Sequence, residues 1–325
     1  MNQNNRFLNA GKKLIRVQEF GVGLALILLC LVLGFSTENF FTVENFIGIL
    51  RQTAFIGIMA LGMVFVLSMG DVDLSVGAIY NISGIFCAFL LTNKFPIWIA
   101  VIGGLAVGII CGMFNIGLSL AFRIPTIIIT LGTMSIFTGL GLVICQSRPL
   151  YDFPKTSFFY TVIGDTVGNF PTTALILLIL TVVLFIIYGF TIFGTRVRAI
   201  GANLNAAKFT GINVTIHRVY VFMLMGALCA VSGVLEVAFL QASSPSMGVA
   251  SNISVIAAAI IGGTALSGGS GSILGALIGA LIISVIRNGI VQLGVSTYWS
   301  ATVTGFVIIA AVAIDYLFKR TRTSA

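Results

Sequence analysis

Residues able to do chemistry are sparse in this chain. The most conspicuous are Asp71 and Asp73 in MGDVDLSVGA (69–78), a stretch set in almost wholly apolar surroundings. A carboxylate at a bilayer centre costs roughly 2.5–3.5 kcal/mol on insertion scales, so two of them need a reason. One is a polar turn, in which Gly70 stops one helix and Asp73 caps the next. The other is a break in regular backbone that lines or gates a pathway. Glu236, in GVLEVAFLQ, is the one acid clearly inside an apolar run, where it pairs with a polar neighbour or lines a pathway.

Enzymatic readings find little support. The glycine-rich GGTALSGGSGS (262–272) lacks the GK[ST] ending of a phosphate-binding loop and holds no GxSxG nucleophile elbow. His217 is the single histidine, at the start of an apolar run, and leaves no base for a hydrolase triad. The five cysteines are scattered, without CxxC spacing or a nearby histidine, and read as small apolar fillers. No catalytic residue and no metal ligand is expected.

The elements that carry these residues follow from composition. Hydrophobic residues make up 58% of the 325 and charged residues 8%, against roughly 25% charged in soluble domains. So few charges cannot cover the surface of a soluble fold of this length. Long apolar runs without two-residue alternation indicate an all-α polytopic membrane protein rather than a barrel. With about 20 residues per span, ten helices are expected, at 20–36, 47–69, 74–92, 96–120, 126–146, 173–192, 218–241, 253–268, 272–293 and 299–318. Lys12, Lys13 and Arg16 precede the first, and no small-x-small cleavage site follows, so it reads as an uncleaved span with its N-terminus in the cytoplasm.

The net charge of +8 is not a nucleic-acid signal, because the basic residues sit between apolar runs. Arg6, Lys12, Lys13, Arg16, Arg123, Arg196, Arg198, Lys208, Arg218, Lys319, Arg320 and Arg322 fall inside, twelve of the seventeen. Arg51, Lys94, Arg148, Lys155 and Arg287 fall outside or near the outer boundary. That bias puts both tails, 1–19 and 319–325, in the cytoplasm, with a transmembrane body at 20–318 between them. Two long connections remain: 147–172, facing outward, and the basic 193–217, facing the cytoplasm.

Gly104, Gly108 and Gly112 recur every fourth residue in the fourth expected span, as do Gly271, Gly275 and Gly279 at the start of the ninth. Such rows let helix backbones approach closely in lipid. If the ten spans divide into two fives, the fourth and ninth are counterparts, and an odd span number forces such repeats into inverted topology.

Four stretches in order carry a resemblance: DLSVG (73–77), AIGANLNAAKFTGINV (199–214), IAAAIIGGTALSGGSGSILGALIGALI (256–282) and NGIVQLGVSTYW (288–299). With these the chain resembles, over nearly its whole length, the membrane permeases of bacterial ATP-driven monosaccharide importers of the ribose, xylose and galactose type. The resemblance implies a multi-pass protein of the bacterial inner membrane, paired with a second permease as homodimer or heterodimer. It further implies cytoplasmic ATPase subunits that use the ATP, an external sugar-binding protein, and no cofactor in this chain. In such systems a short cytoplasmic helix docks on the ATPase. Here it falls around Asn203–Thr210, with Asn203 as cap, Ala206 and Ala207 as a small packing face, and Gly211 as stop, flanked by Gly201 and Ile212.

The sequence departs from the family's pattern twice. The family usually has glycine where Asp71 stands, so Asp73 is the ordinary aspartate. Asn252 and Ser254 replace two acids that commonly precede Ile-Ala-Ala. The departures fit an unusual ligand, or one partner of an unlike permease pair. Candidate pathway or gating residues are Asp71, Asp73, Glu236, Asn252 and Asn288. The expected function is passage of a monosaccharide by alternating access. The alternatives are another polar metabolite such as a furanose-like signalling molecule, an ion-coupled secondary transporter, and a non-transporting scaffold.

Overall fold

The computed structural model describes residues 3–153, 159–168, 170–248 and 251–296, together with 299, 302, 303, 305, 306 and 309, with side chains from residue 20 onward. The helices are α1 (Gln3–Ser36), α2 (Val43–Ser68), α3 (Val76–Thr92), α4 (Ile97–Phe122), α5 (Thr126–Ile144), α6 (Thr172–Phe190), α7 (Ile192–Ala202), α8 (Leu204–Phe209), α9 (Val214–Leu240), α10 (Ser251–Ile261) and α11 (Ile273–Gln292). Between α5 and α6 lie a π-helical turn (Phe159–Ile163) and a two-residue antiparallel ribbon, β1 (Thr166–Val167) with β2 (Phe170–Pro171).

Local sequence explains the helix starts. Pro96, Pro125 and Pro171 stand immediately before α4, α5 and α6, where a missing N–H costs nothing. Side-chain oxygens of Thr42, Asn213 and Ser272 accept from backbone N–H groups in the first turns of α2, α9 and α11.

Six described helices are long and apolar enough to cross a membrane: α2, α4, α5, α6, α9 and α11. The apolar stretch Phe20–Ser36 of α1, α3 and α10 are shorter. The most apolar windows of α2 and α9 are 78% and 72% buried, whereas those of α4, α5 and α6 are 28%, 22% and 33% buried. The first two therefore form the centre, and the other three turn apolar faces outward.

The expected spans meet this structure unevenly. The first is one piece with the expected N-terminal tail, because α1 runs unbroken from Gln3. The third begins later than expected, at Val76. The eighth, expected at 253–268, is helical only over Ser251–Ile261; Gly263, Gly268 and Gly269 then take φ of +91°, +81° and +83°, a left-handed region that favours glycine. The tenth, 299–318, and the tail 319–325 lie outside the described residues but for a few positions. The 193–217 connection is not an open loop, since it holds α7 and α8.

The first glycine row joins α4 to α9. A Cβ at Gly108 would strike the carbonyl of Gly226, one at Gly112 that of Phe222, and one at Gly104 would crowd Ser83 and Val234. In the second row, Gly275 and Gly279 meet the carbonyls of Gly262 and Ala258, pressing α11 onto α10. Gly271 precedes that helix and abuts Ser68, Val64 and Tyr188 instead.

Those contacts also fix the depth of α10. Its C-terminal end lies beside the start of α11, and Arg287 Nη2 donates to Ser254 Oγ at 2.7 Å. α10 therefore begins part-way along α11, not at its far end. Its 11 residues rise about 16 Å, half of a ~30 Å hydrocarbon core.

Candidate functional site

Where α10 begins, α3 begins too. Asn252, in the first turn of α10, accepts the backbone N–H of Gly77, in the first turn of α3. The helices run in opposite directions from this meeting point. Non-helical backbone leads to it from both sides, Asp71–Ser75 before α3 and Gln241–Gly248 before α10. Irregular backbone at such depth is tolerated where it is buried in protein or lines a cavity. Gly248 makes the approach feasible: its φ is +77°, and its carbonyl accepts from Ser251 N at 2.9 Å. A Cβ on Gly77 would collide with the Gly248 carbonyl and Asn252.

A cavity of about 410 Å³ opens beside this junction, within the ~300–1,000 Å³ range of small-molecule sites. Asn81 on α3, Ser135 and Thr138 on α5, and Asn252 on α10 supply its polar groups, and Met134, Leu142 and Met247 line the rest. None of the described lining residues is charged. Asn252 Nδ2 also lies 3.1 Å from Met134 Sδ, and Asn81 Nδ2 donates to Ser244 O at 3.1 Å. Amides and hydroxyls serve as both donors and acceptors, which suits an uncharged polyhydroxylated solute.

The five pathway candidates are not brought together. Only Asn252 lines the cavity. Asp73 is fully buried below α3; its Oδ1 accepts from Ser75 N (2.8 Å) and Ser75 Oγ (2.6 Å), and Asn115 Nδ2 donates to Ser75 Oγ (2.7 Å). The expected cap is thereby corrected: Ser75 occupies the N-cap position, and Asp73 closes a turn onto it. Asp71 forms a bidentate ion pair with Arg218, Oδ1 to Nη2 at 2.6 Å and Oδ2 to Nε at 2.8 Å, and accepts from Thr126 Oγ1 at 3.0 Å. A shielded carboxylate is neutralised by the cation packed against it, away from the cavity.

Glu236 lies on α9 outside the cavity lining, with Oε2 buried and unpartnered among the described residues, so the expected polar neighbour is not seen at that oxygen. Asn288 joins an amide cluster outside the cavity lining: its Nδ2 and that of Gln292 (Nε2) both donate to Asn45 Oδ1, at 2.7 and 3.0 Å.

The residues expected to couple to an ATPase fall in one short segment, 201–212, but point different ways. Asn203 Oδ1 accepts from Ala206 N at 3.0 Å and caps α8, and Gly211, at φ +80°, follows its end. Ile212 N donates back to Ala207 O at 3.1 Å. Ala207 is 3% exposed and faces the body of the protein, so the pair Ala206 and Ala207 is not one outward face. Leu204, 46% exposed, and Phe209, 92% exposed, share the outside with Ala206. Gly201 turns inward: a Cβ there would strike Ser68 O, which already accepts from Gly269 N at 2.8 Å.

Sequence reasoning passed over Arg218, Asn81, Ser135, Thr138 and Phe209. Each is an ordinary residue for its segment, and only long-range packing singles it out.

Comparison with known proteins decides the family. Residues 45–312 match the family described as branched-chain amino acid transport system / permease component. The chain belongs to that family. Its members are permease components of transporters, and the apolar helices agree with a multi-pass membrane protein. Within this permease family, the ribose import permease protein of Bacillus subtilis is 36% identical over 302 residues, 92% of this chain and 93% of the relative. The D-allose transport system permease protein of Escherichia coli is 37% identical, covering 88% and 87%. The xylose transport system permease protein of Haemophilus influenzae is 30% identical, covering 95% and 98%. No solved structure matches the chain significantly.

Proposed function

We propose that this permease is the membrane subunit of an ATP-driven importer that passes a monosaccharide, or a closely related neutral polyol, into the cytoplasm of a bacterium. The observation that carries the reading is the uncharged cavity of Asn81, Ser135, Thr138 and Asn252 at the meeting point of α3 and α10. Similarity to ribose, allose and xylose permeases supports the same class of cargo.

In this reading an external binding protein delivers the sugar, and two permeases, alike or unlike, enclose the path. Cytoplasmic ATPase subunits bind α8 and supply the work from ATP; this chain holds no cofactor of its own. The basic tails and the α7–α8 connection face the cytoplasm of a cell whose inner membrane holds the complex. α3 and α10 are then counterparts in two inverted repeats, discontinuous spans that meet at the substrate. Alternating access opens the cavity first outward and then inward.

The test is uptake of labelled ribose, allose and xylose by proteoliposomes holding the permease, its ATPase subunits and its binding protein. Uptake that requires both ATP and the ATPase supports the proposal. Uptake by the permease alone, driven by an ion gradient, overturns it.

A further inference from the structure

We infer that the Asp71–Arg218 ion pair is the tie that carries movement of α8 to the wall of the cavity. The inference rests on the importer reading above. Two ion pairs occur among the described residues. Arg51–Asp165 lies at the surface, with the Asp165 side chain 63% exposed. Asp71–Arg218 is shielded, its side chains 10% and 23% exposed, and is joined by two parallel charge-assisted bonds.

What the pair connects gives it this role. Arg218 sits in the first turns of α9, immediately after α8 and the short turn through Gly211. Asp71 sits on the non-helical strap between α2 and α3. That strap has a fixed lower end, where Gly70, at φ +84°, lies close to Gly201 and Gly268. Further along, Leu74 N donates to Thr130 Oγ1 of α5 at 3.1 Å, and Asp73 with Asn115 holds Ser75. The strap leads straight into the first turn of α3, where Gly77 bonds to Asn252 and lines the cavity.

A displacement of the α8–α9 junction therefore pulls on Asp71, and the strap, lacking helical bonds of its own there, passes that pull to Gly77. Thr126, the first residue of α5, also bonds Asp71, so the second cavity wall is drawn by the same carboxylate. Asp71 and Arg218 are positioning residues; neither touches the cavity.

The experiment uses the full complex in proteoliposomes and measures sugar uptake and phosphate release in the same vesicles. Asp71→Asn and Arg218→Gln are each expected to lower sugar moved per ATP by about tenfold, while the complex stays assembled and ATP hydrolysis continues. Exchanging the charges, Asp71→Arg with Arg218→Asp, is expected to recover most of the ratio. Single variants that keep the wild-type ratio overturn the inference. So does an exchange variant no better than the singles, or uptake and hydrolysis that fall in parallel. Should a single variant fail to assemble, the exchange variant alone decides, by its ratio against wild type. Wild-type complex that takes up no sugar with ATP would instead overturn the importer reading, which keeps the two failures apart.

Discussion

Asn252 and Gly77 lie 175 positions apart in sequence, yet the side-chain oxygen of one accepts the backbone N–H of the other. The bond pins together the first turns of two helices that run apart in opposite directions. First-turn N–H groups have no partner within their own helix, so Asn252 supplies one to α3 while presenting its amide to the cavity.

Removing a hydroxyl from the cavity should weaken sugar recognition without unfolding the protein. Thr138→Val keeps the side-chain shape and deletes one donor–acceptor. If a sugar hydroxyl bonds there, about 0.5–1.5 kcal/mol is lost, and the KM for uptake rises roughly 2–12-fold. Thermal unfolding in detergent should stay close to wild type. Asn252→Ala has the stronger effect, because it also frees the Gly77 N–H; there the maximal rate falls along with the affinity.

The contact of α4 with α9 should be sensitive to added volume. Gly108→Val drives carbon into the Gly226 carbonyl and Ala230, and overpacking of this kind costs about 1–3 kcal/mol or more. A fall in the unfolding midpoint and in membrane yield is the expected result. Gly117→Ala, on the same helix with nothing within 4 Å of its Cβ, serves as the control. It should be neutral, or stabilising by up to about 1 kcal/mol from helix propensity.

Association with the ATPase should depend on the outward residues of α8. Phe209→Ala and Ala206→Trp are expected to reduce co-purification of the ATPase subunits severalfold, with the permease still inserted and folded. Ala207→Trp should act differently. Ala207 is buried against the body of the protein, so the variant loses folded protein before it loses the partner.

Much of this molecule was legible in its residues. The apolar runs and scarcity of charge dictate a helical membrane bundle, because a backbone in lipid must satisfy its own hydrogen bonds. Asn203 and Gly211 announce the short helix between them, since capping is local chemistry. The glycine rows mark the close approaches of α4 with α9 and of α11 with α10.

Other features depended on what packs against what. The partner of Asp71 is Arg218, 147 positions away, and no local pattern links them. The inward turn of Ala207, the truncation of α10 and the scattering of Asp71, Glu236, Asn252 and Asn288 to separate sites belong to the same class. In a soluble helix, polar and apolar faces tell the reader which side is buried. In lipid both sides are apolar, so that contrast disappears and only the tertiary structure reveals which residues meet.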